Sequence, residues 1–151
     1  MNLLDAVVLG ATEIDVNFNV NVNTHSDGVL QYPTGGHADT AAGAKLTIIT
    51  APLIRDRIPV VVDDVVVVST PGETVDVVVT DYGIAVNPRR QDLIERLKAA
   101  KIQLKTIEEL RDLAYRITGR PKAPEFTDKI VALLEYRDGT LIDVLREVKP
   151  G

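Results

Sequence analysis

The segment Gly35-Gly36-His37-Ala38-Asp39-Thr40-Ala41-Ala42-Gly43-Ala44-Lys45 concentrates the residue types best suited to chemistry. Two glycines leading into a helix leave backbone N–H groups bare, and such donors suit a phosphate, a carboxylate or a thioester oxygen. Glycine also permits unusual backbone angles and close ligand approach. The segment lacks the spacing and the Gly-Lys-Ser/Thr ending of a phosphate-binding P-loop, and it is not a dinucleotide fingerprint. A tight structural loop explains the same residues. His25 and His37 are the only histidines, twelve residues apart. No acidic cluster stands beside them at ligand spacing, so no metal site is expected. His37 suits acid/base work or a single backbone hydrogen bond. Glu13 reads as a nucleophile candidate or as an exposed strand-end carboxylate. Arg55, Arg57, Arg89 and Arg90 lie near loop signals, where they suit phosphate groups or solvent. No Ser/His/Asp arrangement is readable from order or spacing.

The elements that must position these residues follow from pattern. Residues 5–9 form a short apolar strand ending at Gly10. The run from Ile14 to Asn23 alternates strictly and predicts one strand, with Ile14, Val16, Phe18, Val20 and Val22 on one face. Its other face carries Asp15 and four asparagines, a residue type depleted in strands. That face is either solvated or lines a ligand cleft, which would bring Asn19 and Asn21 towards Gly36. Asp27-Gly28 predicts a turn, with residues 28–32 returning as a strand. Residues 38–44 predict a short helix of small residues. Strands are expected at residues 46–50, 60–62 with 65–68, 75–80 and 83–86. Asn87-Pro88 predicts the opening of a helix striped by Leu93, Ile94 and Leu97. Residues 101–105 are a link or a short strand. Thr106 and Glu109 fit a capping box ahead of a helix that Gly119 and Pro121 stop. Asp138-Gly139 between residues 129–136 and 140–148 predicts a hairpin, although the second arm also fits a short helix.

Composition narrows the class. The 151 residues are one domain's worth, and 45% are hydrophobic with only 4% aromatic. Valine runs of this kind suit strands buried on both faces. A net charge of −5 argues against a nucleic-acid binder, and the absence of cysteine removes thiolate chemistry and disulfides. No apolar stretch reaches the roughly 18 residues of a membrane span. The start, Met1-Asn2-Leu3-Leu4-Asp5, lacks the basic region of a signal peptide, so a cytoplasmic location is expected. Because the chain runs almost at once into an apolar strand, it also reads as part of a longer one. Strands followed by paired helices and a terminal hairpin predict an α/β fold: an open, mostly buried sheet with flanking helices.

Several segments together resemble the citrate lyase alpha chain family. They are residues 3–15, Phe18-Asn19-Val20-Asn21, residues 35–45, Ala51-Pro52-Leu53-Ile54-Arg55, Arg57-Ile58-Pro59, Thr70-Pro71-Gly72-Glu73, residues 83–90 and residues 135–144. The resemblance covers nearly the whole chain but only the last part of the family's, so residues 1–151 correspond to one CoA-transferase-like (NagB/RpiA/CoA transferase-like) C-terminal half. It implies an acyl exchange in which the acetyl group on an acyl carrier protein thioester is replaced by citrate, releasing acetate. The CoA-like prosthetic group of that carrier is then a substrate, and no tightly bound cofactor is expected. The implied partners are the upstream half of the same subunit, the beta subunit, the carrier protein and possible further copies of the chain. By likeness to the Gly-rich loop of wider CoA transferases, Gly35, Gly36 and Ala38 would hold the thioester or carboxylate, with Asp39 ordering the loop. Glu is the nucleophile in one mechanistic class of those enzymes. Glu13 does not match that position, so Glu13, His37 and Asp39 remain candidates without an assigned catalytic role. A citramalate-directed or other acyl-CoA transferase, and a non-catalytic docking domain, are the competing readings.

Overall fold

A computed structural model describes residues 4–149; Met1–Leu3, part of the non-basic start, and residues 150–151 lie outside the described residues. In chain order the first elements are β1 (Val7–Gly10), β2 (Glu13–Asp15), β3 (Val20–Asn21), α1 (His37–Gly43), β4 (Thr47–Thr50), β5 (Ile54–Arg55), β6 (Ile58–Pro59) and β7 (Val61–Val62). A single 3-10 turn at Gly72–Thr74 leads to β8 (Val77–Thr80), β9 (Gly83–Val86), α2 (Gln91–Ala99), β10 (Leu104–Lys105) and α3 (Ile107–Thr118). The chain closes with β11 (Phe126–Glu135) and β12 (Leu141–Val148).

Five strands form one mixed sheet in the order β1-β4-β8-β9-β10. β1, β4 and β8 run parallel, β9 returns antiparallel to β8, and β10 lies parallel to β9. A smaller sheet, β3-β2-β7, stands beside it. The valine-rich segments fill the space between them: Ile14, Val20, Ile49, Val61, Val75 and Val78 are fully buried. α3 closes this core because Ile107, Leu110 and Ala114 recur on one helical face, and it packs on β6, β7 and β9. Its start is the capping box read from sequence: Thr106 accepts from the Glu109 N–H at 3.2 Å, and the Glu109 carboxylate accepts from the Thr106 N–H at 2.7 Å. No helix among the described residues is long and apolar enough to cross a membrane.

Several elements differ from the sequence reading; residues 28–32, for one, form only an isolated bridge from Leu30 to Thr24 instead of a strand. The alternating run 14–23 is not one strand. It breaks after Asp15, whose carboxylate accepts from the Asn17 and Asn19 N–H groups at 2.8 and 2.9 Å and from the Asn19 amide at 3.0 Å. The chain reverses through Phe18 at φ 65°, and β3 pairs back on β2. A short aspartate that satisfies the backbone two and four residues ahead favours a turn over a continued ladder. The turn then rests against Gly72, where a Cβ would lie 2.0 Å from the Asn17 carbonyl oxygen. Residues 65–68 likewise form no strand: the Val68 N–H is taken by the Asp143 carboxylate at 2.8 Å instead of a neighbouring strand. The helix expected from Asn87-Pro88 begins at Gln91, because the Asn87 amide donates to the Gly72 and Val75 carbonyls and fixes that residue outside the helix.

β11 and β12 pair antiparallel, with Tyr136 N–H bonding the Thr140 carbonyl across the turn. Val148, Pro124 and Phe126 close over Gly28, while Asp143 holds Val68 and Asp39 accepts from the Arg137 N–H at 3.0 Å. One face of the pair stays bare: Ile130, Val131, Leu133 and Leu141 are each more than half exposed.

Candidate active site

In an open sheet with parallel strands, ligands bind beyond the carboxyl ends of those strands. β1 ends at Gly10, and β4 leads within a few residues to Arg55 on β5. Between these points and the loop of residues 22–32 lies an open cleft of about 530 Å3, bordered by Gly10, Thr12, His25, Gln31, Tyr32 and Arg55. The Arg55 Nη2 donates to the Ala11 carbonyl at 3.1 Å, which holds the guanidinium against the β1–β2 link. No carboxylate borders the cleft, and among the described residues Arg55 forms no ion pair.

His37 ties the Gly35-Gly36 loop to the same place. Its Nε2 lies 2.9 Å from the Gly10 carbonyl oxygen and its Nδ1 2.7 Å from the Thr70 hydroxyl. A carbonyl only accepts, so Nε2 bears the proton; Nδ1 then accepts from Thr70. Burial holds the imidazole below its ordinary pKa, against the Gly10 contact that favours the charged form. His37 is therefore a neutral pin with both nitrogens engaged, which leaves it no free nitrogen for acid/base work. Gly35 takes φ 57°, in the left-handed region glycine tolerates, while Gly36 at φ −93° has open space where a side chain would stand. Both are exposed, and no described residue accepts from the N–H groups of Gly36, Ala38 or Asp39. Ala38 itself is buried beneath them. Asp39 reaches across to the Arg137 N–H and so orders this loop against the β11–β12 turn.

The asparagines lie elsewhere. Asn21 is fully buried, donating to the Thr24 hydroxyl at 2.9 Å and accepting from the Asn23 and Thr24 N–H groups. Asn19 bridges Asp15 and the Gly72 N–H, which it accepts at 2.9 Å. Their polar groups thus fasten a turn, and neither they nor Gly36 border the cleft.

Glu13 is also fully buried, with Oε1 accepting from the Ser26 hydroxyl and Oε2 without a partner. Burial pushes its pKa up to about 7; Ser26 and Asn21 oppose the rise, and the nearby Asp27 charge adds to it. Thr12 and His25 border the cleft while their chain neighbours Glu13 and Ser26 pair behind it. A fully enclosed carboxyl is not poised to attack a thioester. Of the other candidate arginines, Arg89 and Arg90 serve structure, clamping the buried Asp76 at 2.7 and 2.9 Å with Arg90 also pairing with Asp92, while Arg57 is exposed. Sequence reasoning missed Thr12, Gln31 and Tyr32 as cleft residues. Their polar character is ordinary, and only the fold of the 22–32 loop brings them opposite Arg55.

The family model for the citrate lyase alpha subunit matches residues 1–148. The citrate lyase alpha chain of Klebsiella pneumoniae is 62% identical over 97% of this chain, and that of Escherichia coli is 57% identical over the same share. In both cases the match spans 29% of the relative's length, nearer a third than a half. A crystal structure from Streptococcus mutans, described as an alpha subunit of citrate lyase in complex with citrate, superposes with a TM-score of 0.93 at 57% identity, covering 99% of this chain and 29% of that one. With the family model matching residues 1–148 and these relatives 57–62% identical over 97% of the chain, the chain belongs to the citrate lyase alpha subunit family.

Proposed function

We propose that this chain supplies part of the transfer site of a citrate CoA-transferase, within a CoA-transferase-like domain of a cytoplasmic citrate lyase alpha subunit. In that reaction a citrate carboxylate attacks the acetyl thioester on the acyl carrier protein. The carrier's thiolate leaves, and a mixed acetyl–citryl anhydride forms. The thiolate then attacks the citryl carbonyl, giving the citryl thioester and free acetate. Each attack places negative charge on a carbonyl oxygen, which preorganised N–H donors stabilise. The observation that carries this reading is the Gly35-Gly36 loop. Its N–H groups at Gly36, Ala38 and Asp39 find no internal acceptor, and His37 ties it to Gly10 at the rim of the cleft. The enclosure of Glu13 favours exchange directly between acids over a glutamyl intermediate on that residue. The carrier protein and the beta subunit, which would cleave the citryl thioester, are the partners this activity requires. The same chemistry would serve citramalate in a related enzyme.

Gly36→Ala is the informative variant, because φ −93° and the open space at its Cβ let alanine fold there without strain. In a full-length alpha subunit carrying this segment, the added methyl crowds the approach to the donors. Citryl thioester formation, followed by mass spectrometry of the carrier, should fall by about tenfold or more with the melting temperature unchanged. Wild-type turnover in the variant would remove the loop from the site.

A non-catalytic docking role is the second reading, favoured by the bare face of β11 and β12.

A further inference from the structure

Arg55 borders the cleft with a charge that the fold leaves unmatched. The protein carries a net charge of −5, yet no carboxylate borders this cleft and Arg55 forms no ion pair among the described residues. The guanidinium is half-buried and one of its nitrogens is fixed on the Ala11 carbonyl at 3.1 Å, so it is oriented rather than free to wander in solvent. His25 also borders the cleft, but its Nδ1 is shut off from solvent and so is not offered to a ligand there. An arginine fork matches a carboxylate in shape as well as charge. Glu13, next in the chain to the cleft residue Thr12, is sealed against Ser26, and burial pushes its pKa up to about 7, so around neutral pH it cancels the guanidinium only in part.

We infer that the cleft at Arg55 is the subsite that binds a carboxylate of the acceptor acid, with Arg55 as its charged anchor. This rests on the transfer reading above and adds to it where the attacking acid sits. Gly10 borders the cleft and accepts from His37, which directly follows the Gly35-Gly36 turn, so an acid held by Arg55 stands beside the N–H groups offered to the thioester. Arg55 belongs to neither the donor loop nor the pin that holds it.

Calorimetric titration of citrate into the 151-residue chain tests this without any thioester. Arg55→Gln should weaken citrate binding at least tenfold, and Arg55→Lys should restore part of it. Melting curves identify any variant that has lost its fold; should Arg55→Gln be one, the citrate-induced shifts of the Thr12 and Tyr32 amide resonances in the folded Arg55→Lys protein should need several-fold more citrate than in wild type, and an unchanged titration there would overturn the assignment. In the full-length subunit Arg55→Gln should raise the KM for citrate by a similar factor and leave the KM for the acetyl carrier unchanged. Unaltered citrate affinity in Arg55→Gln would overturn the assignment. So would a cleft that binds phosphopantetheine in an Arg55-dependent way and ignores citrate, since the guanidinium would then serve a phosphate. A wild-type subunit that binds citrate through Arg55 but forms no citryl thioester would contradict the transfer reading alone.

Discussion

At the scale of single residues, the buried acid has the clearest consequence. Glu13 has a folded-state pKa near 7 against an unfolded value near 4.5, so the folded protein holds the proton more tightly. Stability from this group is fully present below about pH 4.5 and is lost as the pH rises through 7; the shift corresponds to about 3 kcal/mol. His37 works in the opposite sense. Its lowered pKa contributes stability that is present above its ordinary value and lost as the pH falls below it. Urea denaturation of wild type and Glu13→Gln across pH 4.5–8 separates the two, because the variant removes one group only. The stability difference between the proteins should change by about 3 kcal/mol over that range; a constant difference would mean Glu13 is not held neutral. None of this was legible in the sequence. Glu13 stands ahead of an alternating run, where a polar residue ordinarily faces solvent. It is enclosed because Ser26, thirteen residues on, folds over it. The glycine pair and His37 were legible as a unit, but the role of His37 as a pin depended on Gly10 and Thr70, which no spacing rule connects.

At the scale of elements, local signals succeeded where one residue type decides the outcome. The Thr106–Glu109 box is seen in both of its hydrogen bonds. Thr106→Ala should cost about 1 kcal/mol, read as a lower urea midpoint at an unchanged slope; an equal midpoint would show that the packing of Ile107 and Leu110 holds the helix without its cap. The parallel strands were legible as valine and isoleucine runs because burial on both faces imposes that composition. The Ile14–Asn23 run misleads because its period is that of a strand, while Asp15 offers the backbone a competing set of acceptors. Periodicity reports which faces are buried and is silent on whether the chain between them reverses. The break at Asn87 has a similar origin, since a proline suited to a helix start cannot show that the preceding side chain is already bound to Gly72 and Val75.

At the scale of the whole molecule, the chain spans 29% of the length of the curated relatives it matches, and two of its surfaces are unusual for a finished α/β unit. Parallel sheets are ordinarily covered on both faces, yet Val8 on the edge strand β1 is 61% exposed. The β11–β12 pair bares four large apolar side chains. Both surfaces fit a unit that packs against the remainder of a subunit, and Asp39 links the bare pair directly to the donor loop. Acyl exchange requires thioester, acid and donors to be aligned at once, an arrangement worth roughly 7–11 kcal/mol of barrier, and a site missing one wall forfeits much of that. The most direct test measures citryl thioester formed from acetyl-carrier protein and citrate in four samples: the 151-residue chain, the remainder of a full-length subunit, the two mixed, and the intact subunit. The account predicts turnover by the intact subunit, partial recovery in the mixture and none by either piece alone. Turnover by the 151-residue chain alone, near the rate of the intact subunit, would contradict it.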